Sequence, residues 1–295
     1  MNLSLSRSFP IAKAALAAAV IACVVALTCS LVGCASGGTD SSSADAGNTS
    51  ASTDGKTLRV AMELAYPPFE TKDDAGNPEG LAVDFIRDFG AAYGYDVQIE
   101  NTAWDGLIPS LQSDKADLVI SSMTITDERK QSVDFSDAYA MAQLAILANA
   151  DSGVASIDDL SQPGKKVTVK TGSTGDVYAT KNLTNAEIVR LADESACVTE
   201  VVQGKADGFL YDQLTIYRNH QANPDTTEAV FIPFQDAEEW GIAVKKGNTE
   251  LLDQLNAFIA QSKTDGEFDR LTEKYLADEK KAFDQYGFKW FFDFE

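Results

Sequence analysis

The sequence predicts an α/β protein of mainly parallel strands arranged in two related halves. From Leu58 onward, short apolar runs rich in Val, Ile and Leu alternate with amphipathic stretches of helical spacing, as expected of buried strands covered by helices. The rhythm pauses in an apolar run from Tyr139 to about Ala150 and then restarts. An internal echo links the halves: Leu111-Gln-Ser-Asp-Lys-Ala-Asp117 and Val202-Gln-Gly-Lys-Ala-Asp207 each end a helix and enter an apolar strand.

Before the body comes an export signal. Arg7 and Lys13 stand in an acid-free start, an apolar run follows from about Ala14 to Leu27, and small residues precede Cys34. The ending Leu31-Val32-Gly33-Cys34 resembles the lipobox of bacterial lipoproteins, which implies cleavage after residue 33 and a lipid on Cys34. Residues 34–55 hold almost nothing that could be buried and are expected to be a flexible linker.

The elements then follow in order. Leu58–Glu63 reads as strand, Leu81–Tyr93 as helix, Asp96–Glu100 as strand, Leu107–Gln112 as helix and Asp117–Ser121 as strand. After the Tyr139–Ala150 run come strand Lys166–Lys170, helix Gly175–Asn182, strand Glu187–Leu191, helix Glu194–Gln203, strand Asp207–Leu210 and helix Asp212–His220. Trp240–Val244 and two closing helices, about Thr249–Ser262 and Glu267–Leu276, would return to the first half, so the chain crosses between the lobes twice. The lobes are expected to comprise 56–146 plus 234–295, and 147–233. Strand ends of both lobes would then face one cleft, where open α/β sheets bind ligands.

Composition narrows the function. Of 24 basic and 45 acidic residues, two basic ones fall within 1–33, leaving 22 against 45; nucleic acid is an unfavourable partner, and so is an anionic lipid surface. Membrane attachment is left to the acyl chains on Cys34. Beyond the signal and Cys34 only Cys197 remains of four cysteines, so no internal disulfide is expected. His220 is the one histidine, and it ends a polar helix. Metal chemistry, cysteine–histidine catalysis and a Gly-x-Ser-x-Gly serine nucleophile therefore lack support, and no cofactor is expected.

The most specific stretch runs from Ser121 through Ser122, Met123, Thr124, Ile125 and Thr126 to Asp127-Glu128-Arg129, continuing to Asp134-Phe135-Ser136. Thr126 suits a helix N-cap with acids in the first turn. Arg129 could lay its planar guanidinium against a carboxylate, with Ser122 and Thr124 adding polar groups; a capped surface helix with a solvated arginine is the plainer alternative. Lys170-Thr-Gly-Ser-Thr-Gly175 joins a strand to a helix and could form an anion-binding nest.

The Thr124–Lys130 run with Asp134-Phe-Ser136 resembles the signature of the family 3 extracellular solute-binding proteins, the polar amino-acid receptors of ABC importers. The likeness extends over roughly 57–277, including Ala65-Tyr-Pro-Pro-Phe-Glu70, Trp104-Asp-Gly-Leu-Ile-Pro-Ser-Leu111, Gly172-Ser-Thr-Gly175 and Trp240-Gly-Ile-Ala243. The resemblance implies a two-lobed periplasmic-binding-protein fold of type II with two hinge crossovers. It also implies that Arg129 grips a ligand α-carboxylate, aided by Ser122 and Thr124, with Ser173 and Thr174 as the second-lobe half of the clamp. Asp212 would take the α-ammonium, though it also suits a helix N-cap. Tyr66 and Trp104 match the aromatic walls, and Glu63 the acid that addresses the side chain, with Lys170 and Tyr211 able to alter the preference.

The expected protein is a monomeric, lipid-anchored extracytoplasmic receptor, not an enzyme. It would bind a polar L-amino acid and deliver it to an ABC permease, with hinges near Gln143–Ile146 and Phe234–Asp236. Two other readings stay open: a prephenate or arogenate dehydratase on the same architecture, and an amino-acid sensor. The aromatic tail with Phe283, Tyr286, Phe288, Trp290, Phe291, Phe292 and Phe294 departs from the family. It is expected to pack back on a lobe, a contact with an envelope protein being the alternative.

Overall fold

A computed structural model describes residues 56–286 and 289–294. The expected signal segment, Cys34, the linker and Phe288 lie outside the described residues. β1 (Lys56–Met62) opens the first lobe, with Val60, Ala61 and Met62 all buried. A hairpin of β2 (Thr71–Lys72) and β3 (Pro78–Glu79) leads into α1 (Leu81–Tyr93). That helix buries Leu81, Phe85, Ile86 and Phe89 and stops at Gly94, whose φ of 74° is the left-handed cap that glycine adopts without a Cβ penalty. β4 (Tyr95–Asn101), α2 (Leu107–Gln112), β5 (Leu118–Val119), the single turn α3 (Asp127–Lys130) and β6 (Val133–Phe135) follow.

The run from Tyr139 to Ala150 divides at Gln143 into β7 (Ala140–Ala142) and β8 (Leu144–Asn149). The Gln143 backbone N–H donates to the Gln213 side chain, and its Nε2 donates to the Gln235 carbonyl at 3.2 Å. The second lobe continues with α4 (Ile157–Leu160), β9 (Lys166–Lys170), α5 (Thr174–Asn182), β10 (Glu187–Leu191), α6 (Glu194–Val202), β11 (Gly208–Asp212), α7 (Gln213–Ala222) and β12 (Thr227–Val230). Then come β13 (Glu238–Trp240), β14 (Ala243–Lys245) and helices α8 (Thr249–Ser262), α9 (Glu267–Tyr275) and α10 (Ala277–Tyr286).

Each lobe holds one five-stranded sheet, ordered β4-β1-β5-β14-β6 and β10-β9-β11-β8-β12. In each, four strands run one way and one runs against them: β14 in the first and β8 in the second. Each exception is the first strand its sheet receives after the chain crosses between lobes, so no right-handed strand–helix–strand unit fixes its direction. The crossings are joined by an antiparallel ribbon in which β7 pairs β13, Ala142 opposite Glu238 and Ala140 opposite Trp240. Both faces of both sheets are covered by apolar clusters, which explains why the strands read as continuous apolar runs.

The Lys-Ala-Asp echo is one structural device used twice. Asp117 Oδ2 accepts from the Arg59 backbone N–H at 2.8 Å, and Asp207 Oδ2 accepts from the Lys166 backbone N–H at 2.8 Å. Each aspartate also donates its own N–H back to the same residue, at 2.8 Å in both cases. Thus each lobe ties the entry of one sheet strand, β5 or β11, to the strand beside it, β1 or β9. The tail packs on the first lobe, where Phe283, Trp290 and Phe291 are buried.

Candidate functional site

The sheets present their strand ends to one cleft, floored by the β7–β13 ribbon. It is lined from the first lobe by Glu63, Tyr66, Glu70, Trp104, Ser122, Thr124 and Arg129, and from the second by Ser173, Thr174, Tyr211 and Asp212. Glu238 and Trp240 come from the ribbon. The free space in it is about 40 Å³, room for roughly three waters. Of the eleven ligand residues expected from the sequence, ten line this cleft. Lys170 lines an adjoining cavity of about 410 Å³ that shares Glu63 with it.

Arg129 is set by its cap. Thr126 Oγ1 accepts from the Arg129 backbone N–H at 3.2 Å, which starts α3 and turns the side chain inward. Nη1 donates to the Thr124 carbonyl at 2.7 Å and Nη2 to the Gly172 carbonyl of the other lobe at 3.1 Å. The guanidinium carbon lies 5.2 Å from the Trp104 ring centroid, a cation–π distance. Burial pulls its pKa down and the charge of Glu238 opposes that; an arginine stays charged through such a shift. Among the described residues it forms no ion pair, so its fork is engaged by neutral carbonyls alone.

Asp212 ends β11 and caps α7. Its Oδ1 accepts from the Leu214 and Thr215 N–H groups at 2.9 and 3.1 Å and from the Tyr66 hydroxyl of the other lobe at 2.7 Å. Oδ2 takes none of those three. Burial raises the Asp212 pKa, while the Tyr66, Thr215 and Leu214 hydrogen bonds pull it back. Tyr66 meets Tyr211 edge-on at 6.4 Å, so the two lobes also touch through aromatic edges beside this carboxylate.

Several expected contacts already have protein partners. The Ser122 hydroxyl donates to buried Glu70 at 3.1 Å, and the Ser173 hydroxyl caps α5 by accepting from Asp176 N–H at 3.2 Å. In the 170–175 turn, Gly172 N–H goes to Asp176 Oδ2 at 3.0 Å and Ser173 N–H to the Lys170 carbonyl at 3.1 Å. The anion nest is therefore reduced to the first-turn N–H groups of α5, at Thr174 and Gly175. Gly175 has no side chain for a packing reason: a Cβ there would sit 2.5 Å from the Leu210 carbonyl oxygen.

Three acids of the site carry no expectation from the sequence. Glu238 Oε2 accepts from Thr124 Oγ1 at 2.9 Å and from Thr174 Oγ1 at 2.8 Å, one hydroxyl from each lobe. Burial pushes its pKa up, and the Thr174, Thr124 and Gln235 hydrogen bonds pull it down. Glu70 is fully buried and its pKa is driven well up by desolvation, with Ser122 opposing. Glu194, in the first turn of α6, is pushed up to about 8 by burial, with Asp212 adding and Lys170 opposing. The available signal for Glu238 was its place two residues before Trp240; nothing in its polar surroundings set it apart.

Residues outside the cleft keep plain roles. His220 Nδ1 lies 3.1 Å from the Thr227 carbonyl, and Cys197 is buried, its thiol pushed up to about 12 by desolvation. Among the described residues no cluster of His, Cys, Asp and Glu could hold a metal, and no helix is long and apolar enough to cross a membrane. The arrangement therefore offers a partly buried cation from one lobe, a buried anion from the other and aromatic walls between. That is the chemistry for holding a zwitterion by both ends.

Residues 58–278 match the family model of the bacterial extracellular solute-binding proteins, family 3. A probable histidine-binding protein of Neisseria gonorrhoeae is 36% identical over 228 residues, 76% of this chain and 85% of that one. An ancestral arginine-binding protein, solved bound to arginine, superposes with a TM-score of 0.69 at 36% identity, covering 75% of this chain and 98% of that one. The solved substrate-binding protein of an amino acid ABC transporter gives a TM-score of 0.69 at 29% identity, covering 75% and 100%. The chain belongs to the bacterial extracellular solute-binding proteins, family 3.

Proposed function

We propose that this family member is a receptor that closes on a polar L-amino acid and delivers it to an ABC importer, tethered outside the cytoplasm by a lipid on Cys34. The observation that carries the reading is the pairing, in one cleft, of an Arg129 guanidinium without a carboxylate partner among the described residues and the Asp212 carboxylate on the opposite lobe. In this reading Arg129, with Thr124, Thr174 and the N–H groups of α5, takes the α-carboxylate. Asp212 takes the α-ammonium, Tyr66, Trp104 and Tyr211 form the walls, and Ser122 and Ser173 hold the neighbouring backbone in place. The relatives named for histidine and arginine support an amino acid as the ligand class.

The lobes comprise 56–146 plus 234–295, and 147–233, and they open to admit a ligand, since about 40 Å³ is too little space for an amino acid. Contacts from both lobes favour the shut state and so shift the population toward it. The protein acts as a monomer and performs no chemistry on what it binds. The tether rests on the Leu31–Cys34 ending. Cys34→Ser should move the protein from the membrane fraction to the soluble one; unchanged fractionation would count against the lipid.

The test of the receptor is a thermal-shift screen. The full-length chain, purified in detergent and unfolded and refolded to strip tight ligand, is challenged with the common amino acids, simple dicarboxylates and prephenate. Saturation at a hundredfold Kd adds about 2.7 kcal/mol, hence roughly 5–10 °C in Tm at this size. Shifts confined to one or a few polar amino acids support the receptor. Turnover of prephenate instead would install the dehydratase in its place.

A further inference from the structure

The match to the family model stops at residue 278, and the chain runs on through α10 into the aromatic tail. That helix does more than cover the first lobe. Glu279 and Phe283, four residues apart and so on one face of α10, meet Arg218 and Tyr217 of α7 in the second lobe. Arg218 Nε donates to Glu279 Oε1 at 2.9 Å, and Tyr217 stands edge-on to Phe283 with ring centroids 5.7 Å apart. Arg218 Nη1 also donates to the Pro67 carbonyl of the first lobe at 2.8 Å.

The sequence of α7 lets it face two ways. Ile216 packs in the core of its own lobe with Phe209 and Cys197. Leu214 and Tyr217 instead join the first-lobe cluster that contains Phe283. With Arg218 they have the i, i+3, i+4 spacing of a single helix face, so one stripe of a second-lobe helix is given over to the other lobe. Arg218 and Pro67 line the cavity of about 410 Å³ between the lobes from opposite sides. The bridge therefore crosses the gap that opening would widen, and opening has to break it.

The bridge is partly withdrawn from water, the Glu279 side chain being 12% exposed and that of Arg218 38%. A hydrogen-bonded charge pair in such a place holds more firmly than one on the open surface. Phe283 is fully buried, with the Trp290 and Phe291 rings at 5.8 and 6.2 Å, so α10 is anchored to the same core that braces the β7–β13 ribbon. We propose that the C-terminal extension is a latch: through Glu279 and Phe283, α10 holds α7 of the second lobe and keeps the ligand-free receptor shut. The inference rests on that part of the proposed function in which the lobes open to admit a ligand. A latched resting state is open only part of the time, so the device slows ligand entry as well as release.

The test needs no ligand. The stripped full-length chain in detergent carries spin labels at Gln112→Cys and Lys181→Cys, exposed positions on the first and second lobe, and the chain without those two cysteines supplies the background. Pulsed dipolar spectroscopy then reads the distance between the lobes. The unmodified latch is expected to give mainly the shut distance. Arg218→Glu and Glu279→Arg each replace an attraction by a repulsion, and each should lower the ratio of shut to open by about tenfold or more, the scale of one lost charged hydrogen bond. The two together restore an opposite-charge pair and should recover part of the shut population, which a general loosening of the tail would not do. Melting curves check that every variant folds. A mainly open chain with the latch intact would overturn the inference, as would single variants that leave the distances alone or a double variant as open as either single. Those outcomes leave the receptor standing; a thermal screen without any shift would sink the receptor and not the latch, whose distances are read on the empty chain.

Discussion

Arg129→Ala is expected to weaken amino-acid binding by about 3–5 kcal/mol, roughly a hundredfold to several thousandfold, while the ligand-free protein melts within a few degrees of the unmodified one. The asymmetry follows from what the guanidinium touches. Among the described residues its protein partners are two backbone carbonyls, Thr124 and Gly172, and no carboxylate. Its loss therefore leaves no buried protein anion stranded in a direct ion pair. The ligand is in a different position: its carboxylate would enter the cleft with Glu238 close by and no guanidinium to offset either charge. Arg129→Lys should recover only part of the loss, because a point charge lacks the planar fork. Calorimetry on the stripped variant decides the matter, and binding within a few-fold of the unmodified protein would refute the carboxylate clamp. Asp212 makes a less clean probe, since its Oδ1 also caps α7 through Leu214 and Thr215 and any substitution loosens the helix.

How far the sequence reached is best judged at such doubly employed residues. Thr126 and Asp212 were legible as caps because capping is local: an oxygen acceptor followed two or three residues later by N–H groups. The echo of Lys-Ala-Asp was legible as a repeated motif, though the matching backbone groups that Asp117 and Asp207 bind lie 58 and 41 positions away. The type II fold followed once the family resemblance was added to the strand–helix rhythm. What stayed hidden were pairings across long stretches of chain. Lys170 and Glu63 are 107 positions apart, and Thr124 and Glu238 are 114 apart; neither pair shares a periodic element. Gln143, at the start of the expected hinge Gln143–Ile146, stands between β7 of the ribbon and β8 of the second sheet. Ser122 and Ser173 show the limit of residue type as a guide. Both are serines at the cleft, but their hydroxyls are spent on Glu70 and on the start of α5.

Phe291→Ala is the substitution expected to cost the most stability, about 3–5 kcal/mol for a fully buried phenylalanine, or roughly 6–20 °C in Tm at this size. Phe291 is completely buried, with ring centroids of Phe69 at 5.1 Å and Trp240 at 5.6 Å, and its carbonyl accepts from the Met141 N–H at 2.6 Å. Met141 and Trp240 belong to the two strands of the ribbon that joins the lobes. The tail therefore braces the element on which any closure must turn, and Phe283, Trp290 and Phe291 are partners in the first-lobe core rather than a free surface. Phe292 and Phe294 pack on Phe268 from the edge of that core, at 4.6 and 5.7 Å, and are only partly buried. Alanine at either should cost less than at Phe291, so the three variants form a graded series readable by denaturant melts. A loss below about 1 kcal/mol at Phe291, the scale of an ordinary surface change, would mean that the tail does not pack on the ribbon. Its aromatic residues would then be available to another envelope protein. The full expected loss would instead make the tail a structural part of the hinge, which a truncation meant to trim a dispensable end would remove.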